Sequence, residues 1–147
     1  MKKLSSMNDV LDFAIAGESK AVELYTKMAA TAENPWMRKT LEGIAQEELQ
    51  HGRKLKAVRA GRIALKREGV GDLGLAEKLD DVEPHPDMDY PELLVFAIKK
   101  ENVSQGLYTR LASIFTEPEL QETFLAIAEQ EAEHKRRFEM EYESLTS

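Results

Sequence analysis

Two Glu-x-x-His motifs are the residues of this sequence best suited to chemistry. Glu48 and His51 form the first motif, and Glu131 and His134 form the second. Because residues three apart share a face of a helix, each carboxylate would point in the same direction as its imidazole. Both motifs interrupt an apolar helical stripe, so we predict that they face the core. A buried carboxylate beside a buried imidazole is costly unless its charge is compensated, and its repetition indicates metal binding rather than a structural pair.

An internal repeat determines how these motifs are positioned. Sliding the sequence against itself by 83 residues matches 16 of the 50 positions between Asn8 and Ala57, without a gap. The repeat pairs the two motifs with each other, and it pairs Glu18 with Glu101. The sequence is therefore a duplicated unit.

Each unit predicts a hairpin of two helices. The first hairpin covers about 8–65, with one helix over 8–31 and a second that starts at Asn34-Pro35 and runs to about Leu65. Trp36, in the opening turn of the second helix, is expected to pack at the end of the bundle. The apolar stripe of the first helix is predicted to comprise Leu11, Ala14, Ile15, Val22, Met28 and Ala29.

The second hairpin covers about 89–144. Asp89 and Glu92 open its first helix, which ends near Phe115, and Thr116 and Glu119 have the spacing of a capping box for its second. A crossover over about 66–88 joins the hairpins, with a short helical turn expected at 73–79 and His85 expected as a solvent-exposed loop residue. We predict an all-α, antiparallel four-helix bundle that forms one domain over 1–147. The long crossover would permit exchange of hairpins between chains, and we expect a homodimer.

All four predicted helices contribute an inward carboxylate. Four Glu and two His in a bundle core are the ligand set of a dinuclear carboxylate site. Two divalent cations would neutralise the four negative charges, which would otherwise repel one another. The predicted terminal ligands are Glu18 and His51 for one metal and Glu101 and His134 for the other, with Glu48 and Glu131 bridging. This set suits two iron or manganese ions, with zinc as a possible substitute.

Two tyrosines lie two helical turns after the carboxylates of the first and third helices. Tyr25 follows Glu18, and Tyr108 follows Glu101, each by seven residues. Core packing accounts for tyrosines at such positions. The alternative is that their hydroxyls donate to metal-bound carboxylates and fix their orientation.

Composition excludes several other classes of site. The sequence has no cysteine, which excludes disulfides, thiolate zinc sites and iron–sulfur clusters within it. Its net charge of −7 argues against nucleic acid as the main partner, and the basic run 135–137 is interpreted as a solvated face. No apolar run approaches the ~18 residues of a membrane span, and no signal-peptide pattern is seen. We therefore expect a cytoplasmic protein without a membrane partner.

The sequence resembles the ferritin-like superfamily, and within it the rubrerythrin-like proteins that have no rubredoxin domain. The resemblance rests on the two Glu-x-x-His motifs, on Glu18 and Glu101, on the Tyr25/Tyr108 pair and on the linker over 81–90. The resemblance covers the whole chain. It implies a di-iron protein that reduces H2O2 with electrons from an external donor such as a rubredoxin.

Two departures from the rubrerythrin pattern keep other functions open. The fused rubredoxin domain is absent. In addition, Ser104 occupies the position where rubrerythrins carry a further metal-binding Glu. The predicted site then has six ligands, which is closer to the ferroxidase centre of bacterioferritins. The alternatives are a ferroxidase or iron-handling protein that uses O2, and a non-enzymatic, metal-stabilised structural protein.

Overall fold

The first hairpin consists of α1 (Met7–Thr31) and α2 (Pro35–Arg59). The structure, a computed structural model, describes residues 6–61, 84 and 87–147. Asn34 caps α2, because its side-chain oxygen accepts from the backbone N–H of Trp36 at 2.8 Å, and Pro35 occupies the first turn. This start confirms the prediction from the Asn-Pro pair. Three residues separate the helices, so α1 and α2 are antiparallel neighbours.

The second hairpin consists of α3 (Tyr90–Ile114) and α4 (Pro118–Thr146). Asp89 caps α3, as predicted, and it forms a reciprocal capping box with Glu92. The helices again pack as antiparallel neighbours across a three-residue loop. The two hairpins belong to separate compact units, Met1–Asp81 and Val82–Ser147. The single domain over 1–147 stays a prediction.

In each hairpin a side chain of the second helix donates a hydrogen bond to a carbonyl at the end of the first helix, and we call these two bonds the loop ties. The Arg38 guanidinium donates to the carbonyl of Ala32 at 2.7 Å. The Gln121 amide donates to the carbonyl of Phe115 at 2.5 Å. Both donors and both acceptors are related by the 83-residue repeat offset. The duplication therefore extends to the contacts that close the loops.

The end of α2 differs from the prediction. The helix ends at Arg59 rather than near Leu65, because Gly61 has a φ of 77° and its N–H donates to the carbonyl of Val58. A left-handed residue at this point cannot continue a right-handed helix, and glycine adopts it without steric cost. The predicted turn over 73–79 and His85 lie outside the described residues.

Two further predictions about single residues are wrong, and the predicted stripe of α1 is confirmed in part. Thr116 does not cap α4, because its hydroxyl donates to the side chain of Glu117, the N-cap residue, which makes no side-chain capping bond. Trp36 is 67% exposed rather than packed. In α1, Ile15 and Val22 are only half-buried, whereas the other four members of the predicted stripe are buried.

None of the helices in the described parts of the chain combines the length and the apolar character that crossing a membrane requires.

Candidate metal centre

The first hairpin brings Glu18, Glu48 and His51 together. The Nδ1 atom of His51 lies 3.2 Å from a carboxylate oxygen of Glu18 on α1, and also 3.2 Å from one of Glu48 on its own helix. All three side chains are at most 3% exposed. The i,i+3 spacing on α2 aligns Glu48 with His51, and the antiparallel packing of α1 supplies Glu18 from the opposite side. This arrangement confirms the predicted inward orientation of the first motif.

The second hairpin repeats the cluster with Glu101, Glu131 and His134. The Nδ1 atom of His134 lies 3.7 Å from a Glu101 oxygen and 3.5 Å from a Glu131 oxygen. These side chains are at most 1% exposed. The six residues named from the sequence therefore form two buried triads with the same composition, one in each hairpin.

The donor set of each triad fits a divalent metal ion. Within each hairpin, the three potential ligand atoms lie within 4.8 Å of one another. Two carboxylates offset the charge of one divalent cation, and oxygen donors with one imidazole suit iron or manganese better than copper. Glu18, Glu48 and His51 would hold one ion, and Glu101, Glu131 and His134 would hold another.

The two tyrosines are buried, with exposures of 0% for Tyr25 and 1% for Tyr108. The ring of Tyr108 stacks on Phe124 at a centroid distance of 6.4 Å, and Phe124 stacks on Phe115 at 5.5 Å. Aromatic packing therefore fixes the Tyr108 ring within the second hairpin. A hydrogen bond from either tyrosine to a ligating carboxylate stays a prediction.

The two arginines of the basic run on α4 lie on a solvated face, whereas Lys135 is half-buried. Arg136 pairs with Glu133, and Arg137 Nε lies 3.4 Å from the same carboxylate. The hydrogen bond from Arg136 is the main cause of the lowered pKa of Glu133. The two arginines are 65% and 46% exposed. The pairs thus belong to the surface rather than to the metal ligands.

Sequence reasoning missed an asymmetry beside the two triads. Lys135 follows His134 of the second triad, and its Nζ donates to Asn102, the residue after Glu101 of the same triad, at 3.0 Å. The repeat places Gly52 and Ser19 at the corresponding positions of the first hairpin. Aligning the halves residue by residue would have revealed this difference.

An all-α fold with buried Glu/Glu/His triads in both halves defines a protein of the ferritin-like class. The chain belongs to the rubrerythrin family, whose model matches residues 9–72 and 92–147. This match confirms the resemblance drawn from the motifs.

A solved structure supports the same fold. The chain is similar to a protein from Pyrococcus furiosus described as hypothetical, with 21% identity over 92% of this chain and 87% of that one, and a TM-score of 0.73. This likeness confirms the fold class, an all-α four-helix bundle. A search of curated proteins finds no match.

Proposed function

We propose that this protein is a di-iron redox protein that reduces hydrogen peroxide with electrons from a separate donor protein. The observation that carries the proposal is the repetition of a buried Glu/Glu/His triad in both hairpins of a rubrerythrin-family chain. Two equivalent triads offer four carboxylates and two imidazoles, the ligand set of a dinuclear carboxylate centre. In this proposal Glu48 and Glu131 would be shared by the two ions, and each of the other four residues would bind one of them.

The side chains of the triads have three tasks. Their carboxylates supply the four negative charges that balance two divalent ions. Their imidazoles, each within 3.7 Å of two carboxylate oxygens, complete the donor set. Their burial keeps bulk water away from the reaction. The iron, when bound, supplies two electrons, and the balanced reaction is H2O2 + 2H⁺ + 2e⁻ → 2H2O.

The donor, the assembly and the location are part of the same proposal. These 147 residues contain no cysteine and so hold no rubredoxin-type iron centre among themselves, and we propose that electrons come from another protein such as a rubredoxin. We propose a cytoplasmic homodimer. Tyr25 and Tyr108 would act as positioning residues, each donating its hydroxyl to a ligating carboxylate.

A ferroxidase function is the second candidate, and Ser104 favours it. This residue lies three positions after Glu101 and is half-buried. A serine hydroxyl there offers no carboxylate as an additional ligand. The resulting six-ligand set resembles that of the ferroxidase centre of bacterioferritins, in which iron is the substrate and O2 the oxidant.

Stopped-flow absorbance separates the two functions. Protein loaded anaerobically with two Fe(II) is mixed in separate experiments with H2O2 and with O2, and the iron that remains bound is then measured. Much faster oxidation by H2O2, with both irons retained, supports the peroxide reductase. Comparable or faster oxidation by O2, followed by loss of iron from the protein, supports the ferroxidase.

A further inference from the structure

In each hairpin the two helices meet along a line that we call the seam. The two hairpins differ in the residue that lies at the seam beside the ligand carboxylate. In the first hairpin this position is Gly52, next to the ligand His51. A Cβ built on Gly52 would lie 3.7 Å from the Cβ of Glu18, an ordinary van der Waals contact. Gly52 therefore sits directly against the ligand-bearing part of α1, and it places no side chain over it.

In the second hairpin a side chain spans the seam at the same repeat position. Lys135 extends from α4 and donates to Asn102 on α3 at 3.0 Å. Because these two residues directly follow the ligands His134 and Glu101, the bond crosses the seam beside both ligands. We call the pair Lys135–Asn102 the clasp. Its ammonium group also adds a positive charge at this point, which disfavours the approach of a cation.

We infer that metal ions exchange with solvent through the seam at Gly52, whereas the clasp closes the corresponding seam of the second hairpin. The Glu18/Glu48/His51 triad is then the exchangeable half of the centre, and the Glu101/Glu131/His134 triad is the retained half. A cation that passes the clasp must displace a hydrogen-bonded lysine, whereas Gly52 itself has no side chain to displace. The inference rests on the proposed metal centre and adds a difference between its halves.

Chelator-driven release of Co²⁺ tests the inference. Protein loaded with two Co²⁺ is mixed with excess EDTA, and the loss of the cobalt absorbance is followed with time. We expect two phases of equal amplitude in the wild-type protein. The variant Gly52→Lys should slow the fast phase by about tenfold, and Lys135→Ala should accelerate the slow phase by a similar factor.

Gly43→Lys is the matched control. Gly43 lies on the same helix, is exposed, and a Cβ built there meets nothing within 4 Å. The control therefore repeats the change in charge and helix propensity away from Glu18. A fast phase that Gly52→Lys leaves unchanged, or that Gly43→Lys slows equally, would overturn the inference. Failure of the wild-type protein to bind Co²⁺ in an equilibrium titration would instead refute the metal centre, and the inference with it.

Discussion

Replacing Glu48, which is proposed to bridge both metal ions, by its amide should remove the stabilisation that the two ions would provide. Glu48→Gln keeps the size and shape of a side chain that is 1% exposed, so packing is preserved while one charge is lost. Glu18→Gln makes the same change in the same triad, at a residue assigned as a terminal ligand. Since both carboxylates lie 3.2 Å from His51, the comparison isolates the role of each in binding metal.

The expected change in the free energy of unfolding follows from the charges of the site and from the mass action of the bound metal. Two carboxylate charges within 4.8 Å of each other repel by at least about 3.5 kcal/mol at an effective dielectric constant of about 20, and a shared divalent cation would turn this repulsion into attraction. At a free metal concentration of about 100 times Kd, each ion raises the free energy of unfolding by about 2.7 kcal/mol. Two ions therefore add about 5 kcal/mol. Glu18→Gln should lose about half of this increment, and Glu48→Gln nearly all of it.

Urea unfolding with and without metal measures how much the metal raises the free energy of unfolding. Metal analysis after desalting gives the number of ions bound. The metal-free form of each variant is its own reference, so a general loss of stability does not affect the comparison. Glu131→Gln should behave as Glu48→Gln does. Retention of two ions by Glu48→Gln would refute the bridging assignment.

Three further predictions concern the stability of single elements, measured by urea unfolding of the metal-free protein. Asn34→Ala should lower the free energy of unfolding by about 1 kcal/mol, because it removes the N-cap of α2; an unchanged value would contradict the cap. Gly43→Ala should raise it by about 1 kcal/mol, since the added methyl group has open space in an exposed helical turn; a decrease would contradict this placement. Tyr90→Phe should cost about 1 kcal/mol at neutral pH by removing the 3.1 Å hydrogen bond to Glu141. Burial and this carboxylate raise the pKa of Tyr90 above its usual 10.0, so the wild-type protein should lose stability as the pH rises above 10.0, and a Tyr90→Phe variant with the same loss would refute this cause.

Local signals in the sequence predicted most helix boundaries. Asn34 and Asp89 cap the helices that follow them because a capping side chain bonds the backbone two or three residues away. Thr116 also lies three residues before a glutamate, as Asp89 does, but the predicted cap did not form. The Thr116 hydroxyl bonds the neighbouring Glu117 instead. The end of α2 was missed because apolar residues continue the helical period beyond Gly61, although a glycine at that point is itself a stop signal.

The buried glutamates of the two triads were predictable because a charged residue within an apolar stripe is a strong anomaly. Glu18 and Glu101 were found in this way, without a motif of their own, and both are buried beside a histidine. The clasp was not predictable from such a rule, because Lys135 and Asn102 are polar residues on a polar flank. The distance between them depends on how α3 and α4 pack, which periodicity alone does not give.

The loop ties of the two hairpins show how a duplicated protein diverges. Arg38 and Gln121 share neither charge nor shape, yet each binds the carbonyl at the equivalent position, on Ala32 and Phe115. The same contact therefore joins equivalent positions of the repeat, although the residues on both sides of it differ. A comparison that scores identities counts both positions as mismatches, so it underestimates the likeness of the two halves. What the halves share here is a donor that reaches one backbone oxygen, and both an arginine and a glutamine satisfy that requirement.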